Sequence, residues 1–125
     1  MKDSLEYIVA QLHALASDRE PGELVRQHLY TPDIHLYVRI GPHYCGGKRL
    51  ECLELASIEV PSQKQRQGLF TRVLHRLENE VPALNLQAVL VENIGNEHLR
   101  AYLERIGYQP VGHHLYTVYK ESPYG

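Results

Sequence analysis

Leu5, Ile8, Val9, Leu12 and Leu15 recur at helical spacing near the start of the chain, with Asp3 or Ser4 placed to cap the helix. Asp18 to Pro21 breaks that pattern, and Leu24, Val25 and Leu29 then predict a short second helix. Thr31-Pro32-Asp33 is a turn. Beyond it the period drops to two. Ile34 to Ile40 alternates like a half-buried strand, Gly41 to Lys48 carries turn residues, and Arg49 to Val60 returns. Residues 34–60 therefore predict a hairpin. The helical period comes back with Leu69, Phe70, Val73, Leu74 and Leu77, and Pro82 lies beyond that helix. Leu86 to Val91 is apolar except for Gln87, as suits a strand buried on both faces. Asn93 and Asn96 open a helix carrying Leu99, Tyr102, Leu103 and Ile106, and Gly107 stops it. The stretch YQPVGHHLYTVYK supplies one or two more strands. Helices interleaved with strands predict an α/β fold, a mixed sheet with helices on both faces. No repeat or linker divides the chain, so residues 1–125 are taken as a single domain.

Composition narrows the function. The chain has 125 residues, of which 43% are hydrophobic and 22% charged. That is the balance of a globular domain with a real core. A net charge of −2 supplies no global basic field, so no nucleic-acid partner is expected. The N-terminus is too polar for a signal peptide and no apolar run reaches membrane-spanning length. The expected location is cytoplasmic, with no membrane partner.

The two cysteines fit that compartment as reduced thiols. If Gly46-Gly47 is a two-residue turn, Cys45 faces Lys48 and Cys52 faces Gly41, which separates the thiols by about 13 Å along the sheet. Eight histidines raise the question of metal. His113 and His114 are adjacent, so a strand would point them to opposite faces, and no metal site is expected.

Chemistry concentrates in one junction. The loop SQKQRQGLFT links the strand ending at Val60 to the helix beginning near Leu69. A helix start presents free N–H groups and a partial positive charge, a setting that binds phosphate. Gly68 allows close approach and unusual backbone angles, and Lys64 and Arg66 add charge. Neither a P-loop nor a G-x-G-x-x-G dinucleotide signature is present. A solvated strand-to-helix turn is the competing reading.

Two blocks then resemble one family. LASIEVPSQKQRQGLFTRVLHRLE is similar to the acyl-CoA-binding segment of the GCN5-related N-acetyltransferases, whose R/Q-x-x-G-x-G/A loop matches Gln65-Arg66-Gln67-Gly68-Leu69-Phe70. VENIGNEHLRAYLERIGYQ resembles that family's strand–Asn–helix–Gly-Phe stretch, with Tyr108 in place of Phe. The blocks cover roughly the region from Glu51 to Gln109, about half the chain. There are departures. Phe70 stands where a small residue is usual, and Leu103 stands where an acid tyrosine is often found, with Tyr102 beside it. The N-terminal half is short, so the acceptor pocket is expected to be open or completed by a second copy, and a homodimer is expected.

The resemblance implies acetyl transfer from acetyl-CoA to an amine, a small molecule or a peptide. It implies that the backbone of Ile58, Glu59 and Val60 pairs with the pantetheine arm. It also implies that amides from Arg66 to Thr71 hold the pyrophosphate, and that Asn96 and Tyr102 line the cofactor's other side. Glu54 occupies the position of a catalytic glutamate in some members. Simple alternation places Glu54 on one face with Ile58 and Val60, and Glu51 with Glu59. A solvent-facing glutamate is the competing reading for Glu54. A non-catalytic module of the same fold, binding CoA or a protein, is the rival function.

Overall fold

The structure, a computed structural model, describes residues 2–64, 68–92, 96–112 and 116–123. It comprises α1 (Lys2–Ser17), β1 (Val25–Tyr30), β2 (His35–Cys45), β3 (Lys48–Glu59), α2 (Leu69–Glu80), β4 (Ala88–Glu92), α3 (Glu97–Arg105), β5 (Gln109–Pro110) and β6 (Thr117–Glu121). The six strands form one sheet in the order β1-β2-β3-β4-β6-β5. Only β3 and β4 run parallel, and α2 makes the crossover between them.

The expected second helix is instead β1. Its side chains alternate, with Val25 and Leu29 turned inward, and all six residues pair with β2 from Val25↔Ile40 to Tyr30↔His35. Three apolar residues in a short stretch suit either period, and an available strand edge decided for the sheet. Thr31 makes the tight connection: its hydroxyl accepts from the Asp33 and Ile34 amides and donates to the Ile34 carbonyl. Ser4 Oγ then donates to Asp33 Oδ2 at 2.6 Å, tying α1 to that turn.

The β2–β3 ribbon turns at Gly46–Gly47, both at positive φ (+58° and +80°), a conformation glycine adopts without strain. The pairs Cys45↔Lys48 and Gly41↔Cys52 follow from that turn. Both cysteines are free and buried, and their thiols are near enough to perturb one another. The flat-ribbon figure of about 13 Å therefore overstates their separation, since each thiol feels the other. Burial is the larger effect on each thiol and pushes both upward.

One main core joins Ile8 and Leu12 of α1, Val73, Leu74 and Leu77 of α2 and Leu103 of α3 to Leu36, Val38, Leu53, Leu55, Val89 and Val91 of the sheet. Each such buried aliphatic chain contributes about 1.5–3 kcal/mol. The apolar sides of all three helices thus lie on the same side of the sheet. Helices were expected on both faces, but the alternate residues Cys52, Ala88 and Leu90 pack in a separate, smaller cluster with Cys45, Leu50, Val111 and Tyr119. No helical residue belongs to that cluster among the described residues. The first helix, α1, lies on α2 and β1 rather than over this second face.

No helix among the described residues is long and apolar enough to cross a membrane.

Candidate active site

The parallel strands part company in mid-sheet. β3 and β4 pair from Cys52↔Ala88 to Leu55↔Val91, and β3 then runs on to Glu59 with β2 as its one strand partner among the described residues. An opening forms at the carboxyl ends of two parallel strands, the place where α/β sheets bind ligands. Two helices begin there, α2 after β3 and α3 after β4. Their first N–H groups and positive dipole ends face the same end of the sheet.

Gly68 caps α2 in the left-handed region, with φ +71° and ψ 20°, and makes no side-chain cap bond. A Cβ built on it would meet nothing within 4 Å. Among the described residues, none crowds the Cβ position of Gly68 at the helix start. Leu69 is buried, and Phe70 packs against the main core rather than standing in the opening. Thr71 is half-buried in the first turn. Gln65, Arg66 and Gln67 lie outside the described residues. Asn96 caps α3, its Oδ1 accepting from the Leu99 amide at 2.9 Å. Tyr102 packs on the main core beneath Arg105, whose guanidinium lies 5.9 Å from the ring centre. Leu103, at the customary tyrosine position, is fully buried.

Glu54 sits one residue inside the end of the β3–β4 ladder. It does not share a face with Ile58 and Val60, as simple alternation had it. The β2–β3 register slips between Tyr37 and Val38: Val38 faces Leu55, but Tyr37 faces Ser57. The extra residue, Ala56, reverses the alternation. Ile58 and Val60 turn to the main core, Glu59 is exposed, and Glu54 turns to the helix-free face.

There Glu54 is buried at the floor of a cavity of about 600 Å³. Arg39, His43, Tyr44, Glu92 and Thr117 stand around it, with Leu90, Val111 and Gly112. Arg39 Nη1 donates to Glu54 Oε2 at 3.4 Å and lies 3.7 Å from Glu92 Oε1. Glu54 Oε1 has no hydrogen-bond partner among the described residues, and His43 Nε2 stands 3.4 Å from it. Burial alone would push the Glu54 carboxyl up. His43, Glu92 and Arg39 together outweigh burial and hold it below the usual range. Glu92 behaves oppositely: burial first, then the hydrogen bond and charge of Glu54, hold it above. Two neighbouring carboxyls pushed apart in this way have the arrangement that acid–base chemistry uses.

Arg39, His43 and Glu92 carry no motif. The Gly46–Gly47 register could have found Arg39, since it sets Arg39 opposite Glu54. Glu92 comes from the parallel neighbour, whose alignment no local signal fixes. Glu54 and Tyr102 are not in contact, since one is on the helix-free face and the other packs on the helix side. Tyr119 is buried, Tyr116 is exposed, and His113 and His114 lie outside the described residues. Among the described residues no group of three His, Cys, Asp or Glu could hold a metal ion.

No protein-family model matches the sequence, and no curated protein matches it. Solved structures do match in fold. A mutant AtaT toxin bound to the C-terminus of the antitoxin AtaR and acetyl-CoA is similar over 79% of this chain and 67% of its own, at 16% identity and TM-score 0.58. A GNAT-family acetyltransferase from Listeria monocytogenes 4b F2365 is similar over 71% and 64%, at 15% identity and TM-score 0.50. A KacTA–DNA complex contains a chain similar over 96% and 80%, at 16% identity and TM-score 0.55. That assembly holds DNA, so similarity of fold lends no support to the expected lack of a nucleic-acid partner. The parted parallel strands, the two helix starts at their ends and these matches agree: the chain has the fold of the GCN5-related N-acetyltransferases.

Proposed function

We propose that this protein transfers an acetyl group from acetyl-CoA to an amine. The observation that carries the reading is the opening past Leu55↔Val91, with an unblocked helix start at Gly68 on one side and the buried carboxylate of Glu54 at its inner end. Acetyl-CoA supplies an activated acyl group with a thiolate leaving group. The pyrophosphate fits the first turn of α2, where the Leu69, Phe70 and Thr71 amides have no partner inside the helix. The backbone of Ile58, Glu59 and Val60 runs beside the opening beyond the β4 ladder and suits an extended amide-bearing arm. Asn96 and Tyr102 belong to α3, the helix that follows β4, and would line the other side of the arm.

The acceptor amine must be neutral to attack. Glu54, ionised and with one oxygen unpartnered, is the group to take its proton. Tyr102, which packs on the helix side of the sheet, is the hydroxyl assigned to protonate the departing thiolate. Base and acid then come from opposite faces of the sheet, with the thioester between them.

The test is release of CoA from acetyl-CoA across a panel of small amines, amino acids and peptides. Turnover on one class names the acceptor. Tight binding of acetyl-CoA with no turnover on any amine would overturn the enzymatic reading in favour of a binding module.

A further inference from the structure

A base that takes a proton in every cycle must lose it again, and the surroundings of Glu54 offer one outlet. The Glu54 side chain is 4% exposed, so it cannot pass a proton directly to bulk water. Its unpartnered Oε1 lies 3.4 Å from His43 Nε2, and the His43 side chain is 31% exposed. The imidazole stands beside the buried oxygen and is the more exposed of the two groups in the cavity they share. We propose that His43 is a positioning residue that relays to solvent the proton Glu54 takes from the acceptor amine. This rests on the acetyl-transfer reading above.

The step balances. An N–H bond of the acceptor ammonium breaks, its electron pair stays on nitrogen, and the proton forms an O–H bond on Glu54. That bond breaks as the Nε2 lone pair of neutral His43 takes the proton, and the imidazolium releases it to water. The neutral amine is left to attack the thioester.

The other groups facing Glu54 suit this less well. Arg39, from β2, has only donors and cannot accept a proton. Cys52, on β3 itself, is a buried thiol that burial keeps protonated. Glu92, from β4, is the one competitor, since it too is partly exposed. Tyr44, Leu90, Val111, Gly112 and Thr117 complete the wall.

His43→Ala, assayed by CoA release over roughly pH 6–9, should lower kcat about 10-fold near neutrality, less than the 10²–10⁴-fold of a primary base. KM for acetyl-CoA should not move. Added imidazole should restore most of the lost rate, which a merely structural role would not allow. His43→Gln, closer in size, should show the same deficit. Wild-type kcat in both variants, or a deficit that imidazole does not relieve, overturns the relay. So does a loss in Glu92→Gln that formate relieves while His43→Ala stays at the wild-type rate. A readout independent of turnover is the carbon-13 NMR titration of the Glu54 carboxyl, whose midpoint should rise in His43→Ala. If the wild type acetylates no amine, the acetyl-transfer reading falls, and the titration still decides the coupling: a raised midpoint upholds it and an unchanged one overturns it.

Discussion

Glu54 and Ile58 lie on the same strand, an even number of residues apart, yet they point to opposite faces of the sheet. One inserted residue, Ala56, does this by shifting the β2–β3 ladder between Leu55 and Ser57. The same slip falls where β3 loses β4 as a partner. The register from the Gly46–Gly47 turn sets Glu54 beside Arg39 and His43, and the irregularity beyond it turns Ile58 and Val60 to the other face, where β3 has left β4.

The first consequence is kinetic. Glu54→Gln keeps the shape and removes the base, so turnover should fall about 10²–10³-fold. Affinity for acetyl-CoA should hold, because the α2 helix start is a separate element. The deficit should shrink at high pH, where the amine arrives neutral. Steady-state assays with calorimetry check this, and wild-type turnover in the variant near neutral pH would return Glu54 to a structural part.

Gly68 makes a two-part prediction. Its φ of +71° strains any side chain, while the space around it is empty. Gly68→Ala should cost about 1 kcal/mol of stability through backbone strain, with no clash. Gly68→Asp should in addition place a negative charge against the pyrophosphate and weaken acetyl-CoA binding by more than about 10-fold, since each 1.4 kcal/mol is tenfold. Unchanged affinity in a folded Gly68→Asp protein removes this loop from the site.

The carboxyl pair predicts opposed pH dependences. Glu54 is held below its unfolded value, so its stabilising contribution is present above that value and is lost as pH falls through the folded one. Glu92 is held above its unfolded value, so its contribution is present below that value and is lost as pH rises through the folded one. Urea unfolding from roughly pH 3 to pH 8 should show the stability advantage of wild type over Glu54→Gln vanishing in acid. The difference between wild type and Glu92→Gln should move the other way. Parallel trends in the two variants would contradict this assignment of the pair.

β1 is an edge strand with Leu24 and Tyr30 exposed at its ends. Such an edge invites pairing by a second copy, and a homodimer is expected. Light scattering should give twice the chain mass, while a monomer across a wide concentration range rules the dimer out.

The sequence determined whatever depends on near neighbours. Apolar spacing set α1 and α2, Asn96 and Gly107 bounded α3, and Gly46–Gly47 fixed a register that already places Arg39 opposite Glu54. The family likeness lay in two such local blocks around Gly68 and Asn96. Tertiary structure decided the rest. Val25–Tyr30 became a strand because β2 offered an edge, an energy that no window of that segment contains. The three helices gathered on one face through contacts between distant segments, while the other face carries a smaller cluster with no helical residue among the described residues. The candidate site was decided the same way. A one-residue bulge costs little locally but inverts every side chain beyond it, and Glu92 reaches Glu54's neighbourhood only through a parallel pairing across the α2 crossover. Those relations are made between distant segments, and the burial that enforces them exists only once the sheet is assembled.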